Sequence, residues 1–556
     1  MLSTARRETG FVAAMTFVGA VLRFWGPGRL GLNHFDEGIY ALAATWSSAP
    51  KGLASITPEL IAYAPPLYPI LVGVAYLFLG VSDISAILVS QIAGTLTIPA
   101  VAWVARRTFG PGAGAAAAAL VAISGPHIAF SRMALTDATF LLCWVLAMGL
   151  GGRFLERPGL LRAVAFGLMV GLTQNAKYNG YLVGGIVALV AVWGLVLKSG
   201  DGRRVMGYGL VAAAVAALVY LPWYRFVESH PGGYAGLMRH HRSYLSGPSA
   251  WPSHWRLQMG QSYALSGELT EGLTWGILAW PLAWIGGTMS SGVEKRPRRA
   301  QMRMRLGFVL GAAVYGVAPN AGWWIALAMM PWWLISGSPA KRVLGAGWLV
   351  MAVLTPFYHP YARLWLPLHA FGWVALAGLV LDDQVVRRLR AASLAAAIIA
   401  AVFADAVIEP RARSLGSPIA PTDALRSEIA GLANHIRFQG AVYPTPVRVL
   451  LLARPTVLFY LAPQTDLPIV RLGELPKILK SARTGDVAVI DRDVVGDFNH
   501  LAQFHESLGT RKLLAGRYVF VYLQPATTWA DIDPSAVFDR QRKSYGSISY
   551  YPVVVP

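Results

Sequence analysis

Long runs of hydrophobic residues, separated by short polar segments, recur along the chain from Phe11 to Ile408. Many of these runs approach the length of about 20 residues that a helix needs to cross the hydrocarbon core of a bilayer. The segments between them hold arginine, lysine, proline and glycine, which is typical of loops between membrane spans. The pattern therefore predicts a polytopic α-helical membrane protein.

The hydrophobic runs divide into about thirteen predicted spans. They are residues 11–25, 84–105, 112–130, 138–153, 163–176, 179–197, 205–222, 272–292, 306–318, 321–338, 343–358, 364–381 and 391–408. The segment from Ala64 to Val81 is also apolar, but counting it as a span would place Arg106 outside the cell and Asp137 inside. Its prolines lie near its start and suit a short or tilted element, so whether this segment crosses the membrane stays open.

The basic residues between the spans predict the orientation of the chain, because cytoplasmic loops carry an excess of lysine and arginine. The clusters assigned to the cytoplasm on this rule are Arg6 with Arg7, Arg106 with Arg107, Arg153 with Arg157 and Arg162, Lys198 with Arg203 and Arg204, Lys295 to Arg305, Lys341 with Arg342, and Arg387 to Arg390. An odd number of spans then places the chain after about Glu409 outside the cytoplasm. We therefore expect a transmembrane domain of residues 1–408 and an extracytoplasmic domain of residues 409–556.

The hydrophobic pattern changes beyond Pro410, where short apolar runs alternate with helical stretches. An amphipathic helix is predicted over residues 423–436, strands over 447–452 and 487–490, and further helices near 475–481 and 498–508. Strands that alternate with helices predict a small α/β domain. This region has no glycine-rich phosphate loop, which argues against a nucleotide site in it.

Composition narrows the class of protein further. Of the 556 residues, 55% are hydrophobic and 14% are charged, whereas about a quarter of the residues of soluble domains are charged. The formal net charge of +20 arises from clusters between spans, so it indicates membrane topology and no nucleic-acid partner. The single cysteine, Cys143, lies in an apolar run, which excludes a disulfide framework and a cysteine metal site.

Two predicted external loops, residues 26–63 and 223–271, are rich in aromatic and ionisable residues and form the candidate site. The first carries adjacent carboxylates, Asp36 and Glu37, just after the first span. Carboxylates at the membrane surface are costly to bury, so they indicate a function, although an ordinary solvated loop is the simpler alternative. Asp137 is predicted on the same side, close to Arg132, which suggests an acid/base and phosphate-binding cluster.

Six short segments occur in the order found in membrane glycosyltransferases of the GT-C superfamily. They are Phe35 to Glu37, Tyr63 to Tyr68, Ser131 to Asp137, Ala176 to Tyr178, Leu221 to Tyr224 and Pro360 to Pro367. Over roughly the first 370 residues the chain resembles the protein O-mannosyltransferases (glycosyltransferase family 39) and the lipid A aminoarabinose transferases. The resemblance implies a GT-C fold and an inverting transfer of a sugar from a polyprenyl-phosphate carrier to a lipid, glycan or protein hydroxyl. It also implies the outer face of a bacterial cytoplasmic membrane.

The resemblance also implies roles for individual residues. Asp36 matches the family's catalytic acid and would act as general base, while Glu37 and Asp137 are the other candidate catalytic carboxylates. The leaving phosphate needs cations, and the candidates are Arg132, Lys177, Arg363 and Arg225. Arg225 has the alternative role of an interfacial anchor. Candidate contacts to the sugar or acceptor are Tyr40, Tyr63, Tyr361 and His359. No cofactor is required, and a divalent cation stays open.

Alternatives stay open for the substrates and for the class of activity. At Tyr63-Ala64 the mannosyltransferases carry a histidine and the aminoarabinose transferases a Glu-Lys pair, so neither substrate assignment transfers to this chain. The histidines His240, His241 and His254 have no metal-ligand spacing. A transporter or lipid flippase is the main alternative, and a non-catalytic envelope-assembly protein is a third. Ionisable residues grouped at one face, with no evident half-chain repeat, favour the transferase.

The predicted topology gives the first test. A reporter enzyme that is active only outside the cytoplasm should be active when fused after Pro410, because an odd number of spans precedes that residue. The same reporter fused after Arg305, within the predicted cytoplasmic cluster, is the matched control and should be inactive. Reporter activity only after Arg305 would reverse the orientation.

Overall fold

The computed structural model describes residues 2–47, 64–196, 202–264, 268–270, 273–274, 276–291, 321–381, 422–442, 448–471, 486–491, 519–524 and 547–552. The helices there are α1 Leu2–Phe24, α2 Phe35–Ala43, α3 Leu67–Leu79, α4 Asp83–Phe109, α5 Ala113–Ala122, α6 Gly125–Ser131, α7 Thr136–Glu156, α8 Leu160–Ala176, α9 Leu182–Val196, α10 Gly202–Glu228, α11 Gly233–Arg242, α12 Trp251–Ala264, α13 Gly276–Ser291, α14 Ala321–Ser336, α15 Pro339–Leu354, α16 Leu366–Leu381, α17 Ala424–Val442 and α18 Pro455–Leu461. The strands are β1 Glu268–Thr270, β2 Leu273–Thr274, β3 Val449–Leu452, β4 Ile469–Arg471, β5 Val487–Asp491, β6 Val519–Gln524 and β7 Ser547–Pro552.

The chain forms two compact units. Unit 1 comprises Met1–Trp25, Pro65–Tyr68 and Leu88–Ala420. Unit 2 comprises Gly26–Ala64, Pro69–Ile87 and Pro421–Pro556. Unit 2 thus combines the first predicted external loop with the C-terminal segment. The sequence predicts two domains that are each continuous in the chain, with a boundary near residue 409, and this boundary stays a prediction.

Several helices have the dimensions of membrane spans. Four segments among the described residues are long and apolar enough to cross a bilayer: α4, α7, α10, and α15 together with the turn that follows it, Pro339–Phe357. The polytopic helical fold agrees with the sequence prediction. The count of thirteen spans stays a prediction, because spans 306–318 and 391–408 lie outside the described residues. Helix α3 has 13 residues and is about 20 Å long, so it is the short element that its prolines suggest.

One predicted span, residues 112–130, is not a continuous helix. It consists of α5 and α6, which are bent by 62° at the break between them. Pro126 lies at the start of α6, where its missing N–H costs no helical hydrogen bond. The guanidinium of Arg23, at the end of α1, donates to the carbonyl oxygens of Val121 and Ala122, both at 3.2 Å. A cation thus satisfies the last carbonyls of α5 inside the helix bundle.

Small residues set the packing of unit 1. All ten residues of α5 are buried, most of them are alanine, and the helix packs against α1 and α13. Gly167 of α8 faces the backbone of Ala212 in α10 so closely that an added Cβ would overlap it. Within a bilayer, helices associate through such close backbone approach, since lipid offers no hydrophobic driving force.

The C-terminal part of unit 2 contains a five-stranded sheet with the strand order β4-β3-β5-β6-β7. The first four strands run parallel, and β7 pairs antiparallel with β6. All four residues of β3 are buried, as expected for a parallel strand covered on both faces. Helix α17 and strands β3 and β5 confirm the predicted helix and strands, whereas the predicted helices 475–481 and 498–508 lie outside the described residues. The location of this sheet outside the cytoplasm stays a prediction.

Candidate functional site

The segment that holds Asp36 is shaped by a capping box at the start of α2. His34 is the N-cap residue, and its Nδ1 accepts a hydrogen bond from the backbone N–H of Asp36 at 3.0 Å. In return, Oε2 of Glu37 accepts hydrogen bonds from the backbone N–H groups of Asn33 and His34, both at 2.8 Å. This reciprocal pairing satisfies N–H groups that a helix leaves open at its start.

The two adjacent carboxylates therefore differ in what they can do. Glu37 is 1% exposed, and its carboxylate is engaged in the helix cap, so it is not the solvated neighbour that the sequence allowed. The side chain of Asp36 is 26% exposed, and one of its oxygens lies 4.0 Å from Nδ1 of His34. Tyr40 follows Asp36 by four residues, which places both on the same side of α2. Asp36 is the accessible carboxylate of the pair.

Asp137 and Lys177 form an ion pair in unit 1. The distance between Lys177 Nζ and Asp137 Oδ1 is 2.6 Å, and the two side chains are 19% and 2% exposed. Asp137 lies in the first turn of α7, and Lys177 follows the last residue of α8. Each charge complements the dipole of its own helix, the carboxylate at an N-terminus and the ammonium at a C-terminus. The pairing brings together two residues that the sequence placed in one site.

The chain turns sharply after Lys177 and brings aromatic side chains to the same place. An added Cβ at Gly180 would overlap the backbone of Thr173, so the turn needs a residue without a side chain there. Tyr178 accepts a hydrogen bond from Nε1 of Trp223 at 3.1 Å. Its ring also packs edge-on against His241, with 5.2 Å between the ring centroids.

The second predicted external loop packs onto the segment that precedes α16. His241 of α11 lies with Nδ1 at 3.3 Å from the hydroxyl of Tyr358, and Tyr358 also packs against Tyr244. Nδ1 of His254, on α12, lies 3.0 Å from the carbonyl oxygen of Pro356. We call Tyr178, His241, Tyr244 and Tyr358 the aromatic cluster. It joins the turn after Lys177 to the segment that leads to Arg363.

Three of the candidate residues, His359, Tyr361 and Arg363, lie together just after Tyr358 in the chain. The rings of His359 and Tyr361 pack edge-on with centroids 4.5 Å apart, and the guanidinium of half-buried Arg363 lies 4.8 Å from the centre of the Tyr361 ring. Stacking on an aromatic face holds a guanidinium in place. Arg363 thus belongs to a preorganised group of side chains.

The remaining cationic candidates have other surroundings. Arg132 is 3% exposed, and its Nη1 donates to the carbonyl oxygens of Arg23 at 3.1 Å and Trp25 at 2.7 Å, where α1 ends. That geometry closes a helix end, and a role for Arg132 in phosphate binding stays a prediction. Arg225 is exposed in the last turn of α10, which suits the interfacial anchor. Tyr63 lies outside the described residues.

The described candidates are divided between the two units. Asp36, Glu37 and Tyr40 belong to unit 2. The candidates in unit 1 are Arg132, Asp137, Lys177, Arg225, His359, Tyr361 and Arg363. Sequence reasoning missed Tyr358, although its position directly before His359 in an aromatic, proline-containing stretch was an available signal. It also assigned no role to His241.

The positions of the described side chains also bear on metal binding. Among the described residues, no group of three histidine, cysteine, aspartate or glutamate side chains comes close enough to hold a metal ion.

The fold defines a class, the polytopic helical membrane proteins, and the charged candidates are divided between its two units. Residues 63–224 match the family model described as dolichyl-phosphate-mannose-protein mannosyltransferase. That range contains Asp137 and Lys177, while Asp36 and Arg363 lie outside it. A comparison with curated protein sequences found no significant match.

Solved structures of similar fold are membrane glycosyltransferases. The oligosaccharyltransferase AglB from Archaeoglobus fulgidus, in complex with an inhibitory peptide and a dolichol-phosphate, aligns with a TM-score of 0.52 and 14% identity over 93% of this chain and 69% of that one. The A. fulgidus oligosaccharyltransferase in complex with Zn and sulfate aligns with a TM-score of 0.51 and 15% identity over 92% and 68%. ArnT from Cupriavidus metallidurans, bound to undecaprenyl phosphate, aligns with a TM-score of 0.48 and 16% identity over 93% of each chain.

These similarities confirm the resemblance that the sequence motifs indicated. The chain has the fold of the GT-C membrane glycosyltransferases, and part of it matches the mannosyltransferase family.

The buried ion pair gives a test that needs no substrate. Asp137→Asn and Lys177→Met should each lower the free energy of unfolding by about 3–5 kcal/mol, because either change leaves a poorly solvated charge without its partner. The double variant should cost clearly less than the sum of the two. Thermal unfolding of the three purified variants in detergent measures this. Strictly additive losses would mean that the pair contributes no mutual stabilisation.

Proposed function

We propose that the protein is an inverting glycosyltransferase that moves a hexosyl or pentosyl group from a polyprenyl-phosphate carrier to a hydroxyl of an envelope lipid, glycan or protein. The proposed location is the outer face of a bacterial cytoplasmic membrane, with the C-terminal domain outside the cytoplasm. The observation that carries the proposal is that the two adjacent carboxylates have different surroundings. Glu37 caps helix α2, whereas Asp36 stays accessible. The similarity in fold to membrane glycosyltransferases supports it.

Asp36 would act as the general base. Its carboxylate takes the proton of the acceptor hydroxyl as that oxygen attacks the anomeric carbon of the sugar. The bond between the anomeric carbon and the phosphate oxygen breaks on the opposite side, and its electron pair leaves with the polyprenyl phosphate. The start of α2 suits this role, because the N-terminal end of a helix favours a negatively charged side chain. The capping box keeps the backbone beside Asp36 in one conformation.

Lys177 and Arg363 would stabilise the leaving phosphate. An ammonium group has three donors, and Asp137 fixes its position through a hydrogen bond of 2.6 Å. Arg363 is held by the ring of Tyr361 and presents the planar fork that matches phosphate oxygens. Arg132 and Arg225 are weaker candidates, because one closes a helix end and the other is exposed. Tyr40, Tyr63, Tyr361 and His359 remain the proposed contacts to sugar or acceptor.

The other proposed activities and cofactors have less support. None of the contacts described above specifically supports a transporter or flippase. The similarity in fold to oligosaccharyltransferases favours the transferase. An oligosaccharyltransferase of similar fold was solved with Zn, which keeps a divalent cation compatible with this fold. Release of labelled sugar from a panel of undecaprenyl-phosphate sugars by the protein in proteoliposomes tests the activity directly. Transbilayer movement of those lipids without sugar release would favour the flippase.

The base role of Asp36 predicts a specific loss. Asp36→Asn keeps the size of the side chain but cannot take up the acceptor's proton, so the transfer rate should fall by about 10²- to 10⁴-fold. Binding of the donor should persist, and the variant should unfold at the wild-type temperature, because the cap is formed by His34 and Glu37. Glu37→Gln is the comparison, and its main effect should be on stability. Wild-type transfer by monodisperse Asp36→Asn would remove Asp36 from the mechanism.

The phosphate role of Arg363 predicts weaker donor binding. Arg363→Gln removes the charge while keeping a polar, hydrogen-bonding side chain, so the dissociation constant of the undecaprenyl-phosphate sugar should rise about 10-fold or more. Arg203→Gln, on an exposed residue of α10, is the matched control and should bind as the wild type does. Equal affinities for wild type and Arg363→Gln, by titration of the labelled donor, would exclude Arg363 from phosphate binding.

A further inference from the structure

The loop that leads to Asp36 is held by residues far along the chain, all within unit 2. The backbone N–H of Gly31 donates to the hydroxyl of Thr422 at 3.0 Å, and the amide group of Asn33 donates to the carbonyl oxygen of Thr422. The guanidinium of Arg426 donates to the carbonyl oxygen of Gly28 at 2.7 Å. These hydrogen bonds connect the segment between α1 and α2 to residues 422–426, and the buried N–H of Gly31 would otherwise lack a partner at a cost.

Tyr460, in α18, is the centre of this arrangement. Its hydroxyl accepts a hydrogen bond from the backbone N–H of Leu32 at 2.7 Å and donates one to Oδ2 of Asp83 at 2.8 Å. The same carboxylate oxygen is 3.0 Å from Nη1 of Arg426. Tyr460 and Asp83 are 6% and 5% exposed, so each of these polar groups depends on the others for its hydrogen bonds.

A second set of contacts lies on either side of Asp36. On the N-terminal side, Nη1 of Arg454 donates to the carbonyl oxygen of Asn33 at 3.0 Å, and Arg454 is 3% exposed. On the C-terminal side, Gly38 packs against the backbone of Thr456 so closely that an added Cβ would overlap it. Asp36 thus lies between two points that the β3–α18 region holds in place.

We infer that Tyr460, together with Arg454 and Arg426, is a positioning residue for Asp36, so that the C-terminal segment takes part in catalysis through the backbone of the first loop. This inference rests on the proposed role of Asp36 as the base. A general base must lie within hydrogen-bond reach of the proton it removes, and displacement by about 1 Å can lower a rate by about 100-fold. The contacts above restrict that displacement.

The electrostatics of the region agree with this arrangement. Burial, with a smaller contribution from the charge of Asp83, raises the pKa of the Tyr460 hydroxyl well above its ordinary value. The hydroxyl therefore stays protonated and keeps donating to Asp83. Burial also raises the pKa of Glu428 to about 7, while the charge of Arg454 opposes that rise.

Tyr460→Phe tests the inference in the full-length protein. The change keeps the ring but removes the hydroxyl, which leaves the N–H of Leu32 without its acceptor. With the undecaprenyl-phosphate sugar that the wild type uses, kcat should fall about 10- to 100-fold while the donor KM changes by less than about twofold. A residue that only stabilises the fold would lower the amount of folded enzyme and leave kcat per folded molecule unchanged. Tyr208→Phe, on α10, is the matched control.

Hydrogen exchange tests the same anchoring without any substrate. Tyr460→Phe should speed the exchange of the backbone amides between Leu32 and Glu37, whereas Tyr208→Phe should not. Arg426→Gln, on a partly exposed residue, should act in the same direction more weakly if Tyr460→Phe does not fold. Wild-type kcat and wild-type exchange in the folded variants would overturn the inference. If the wild type transfers no sugar, the proposed function fails, and faster exchange would still establish the anchoring.

Discussion

The backbone groups at helix ends impose the constraint on which much of this structure depends. A helix leaves N–H groups unpaired at its start and carbonyl groups unpaired at its end, and neither lipid nor a packed core can satisfy them. Here charged side chains do so repeatedly. Arg23 and Arg132 bind carbonyl groups at the ends of α5 and α1, and Glu8 accepts a hydrogen bond from the N–H of Gly112 at the start of α5.

This constraint distinguishes charged side chains that are bound to backbone groups from charged side chains that stay partly accessible. Glu37 and Arg132 are both buried and bound to backbone groups, whereas Asp36 is partly exposed. Lys177 combines both properties, since it closes α8 and is fixed by Asp137 while 19% of its side chain stays accessible. A site for a charged lipid phosphate next to a bilayer needs such fixed, partly accessible cations, because mobile ones would have to be reordered during the reaction.

The same reasoning gives the C-terminal region a defined part in the proposed chemistry. A sheet and two helices could serve only to bind an acceptor, but here α18 and Thr422 satisfy the backbone of the loop that carries Asp36. Leu32 and Tyr460 are 428 residues apart in sequence. Coupling between such distant segments would make loss of the C-terminal region a catalytic defect as well as a structural one.

The sequence by itself determined the class of protein. Hydrophobic runs and basic clusters indicate a helical membrane protein because the bilayer imposes span length and charge asymmetry locally. The order of short motifs indicates a GT-C glycosyltransferase, and two of the predicted strands appear as β3 and β5. These features depend on neighbouring residues, which a sequence displays directly.

Only the tertiary structure decided which charged residues are bound to backbone groups and which stay accessible. Asp36 and Glu37 are adjacent and chemically alike, and the hydrogen bonds of the helix cap distinguish them. The break between α5 and α6 falls at Ser124-Gly125-Pro126, and only the structure shows that the guanidinium of Arg23 satisfies the carbonyl groups there. The anchoring of the Asp36 loop by Tyr460 and Arg454 joins segments some 400 residues apart. Such contacts depend on how distant elements pack, because burial and hydrogen-bond geometry are properties of the folded chain and leave no local pattern in the sequence.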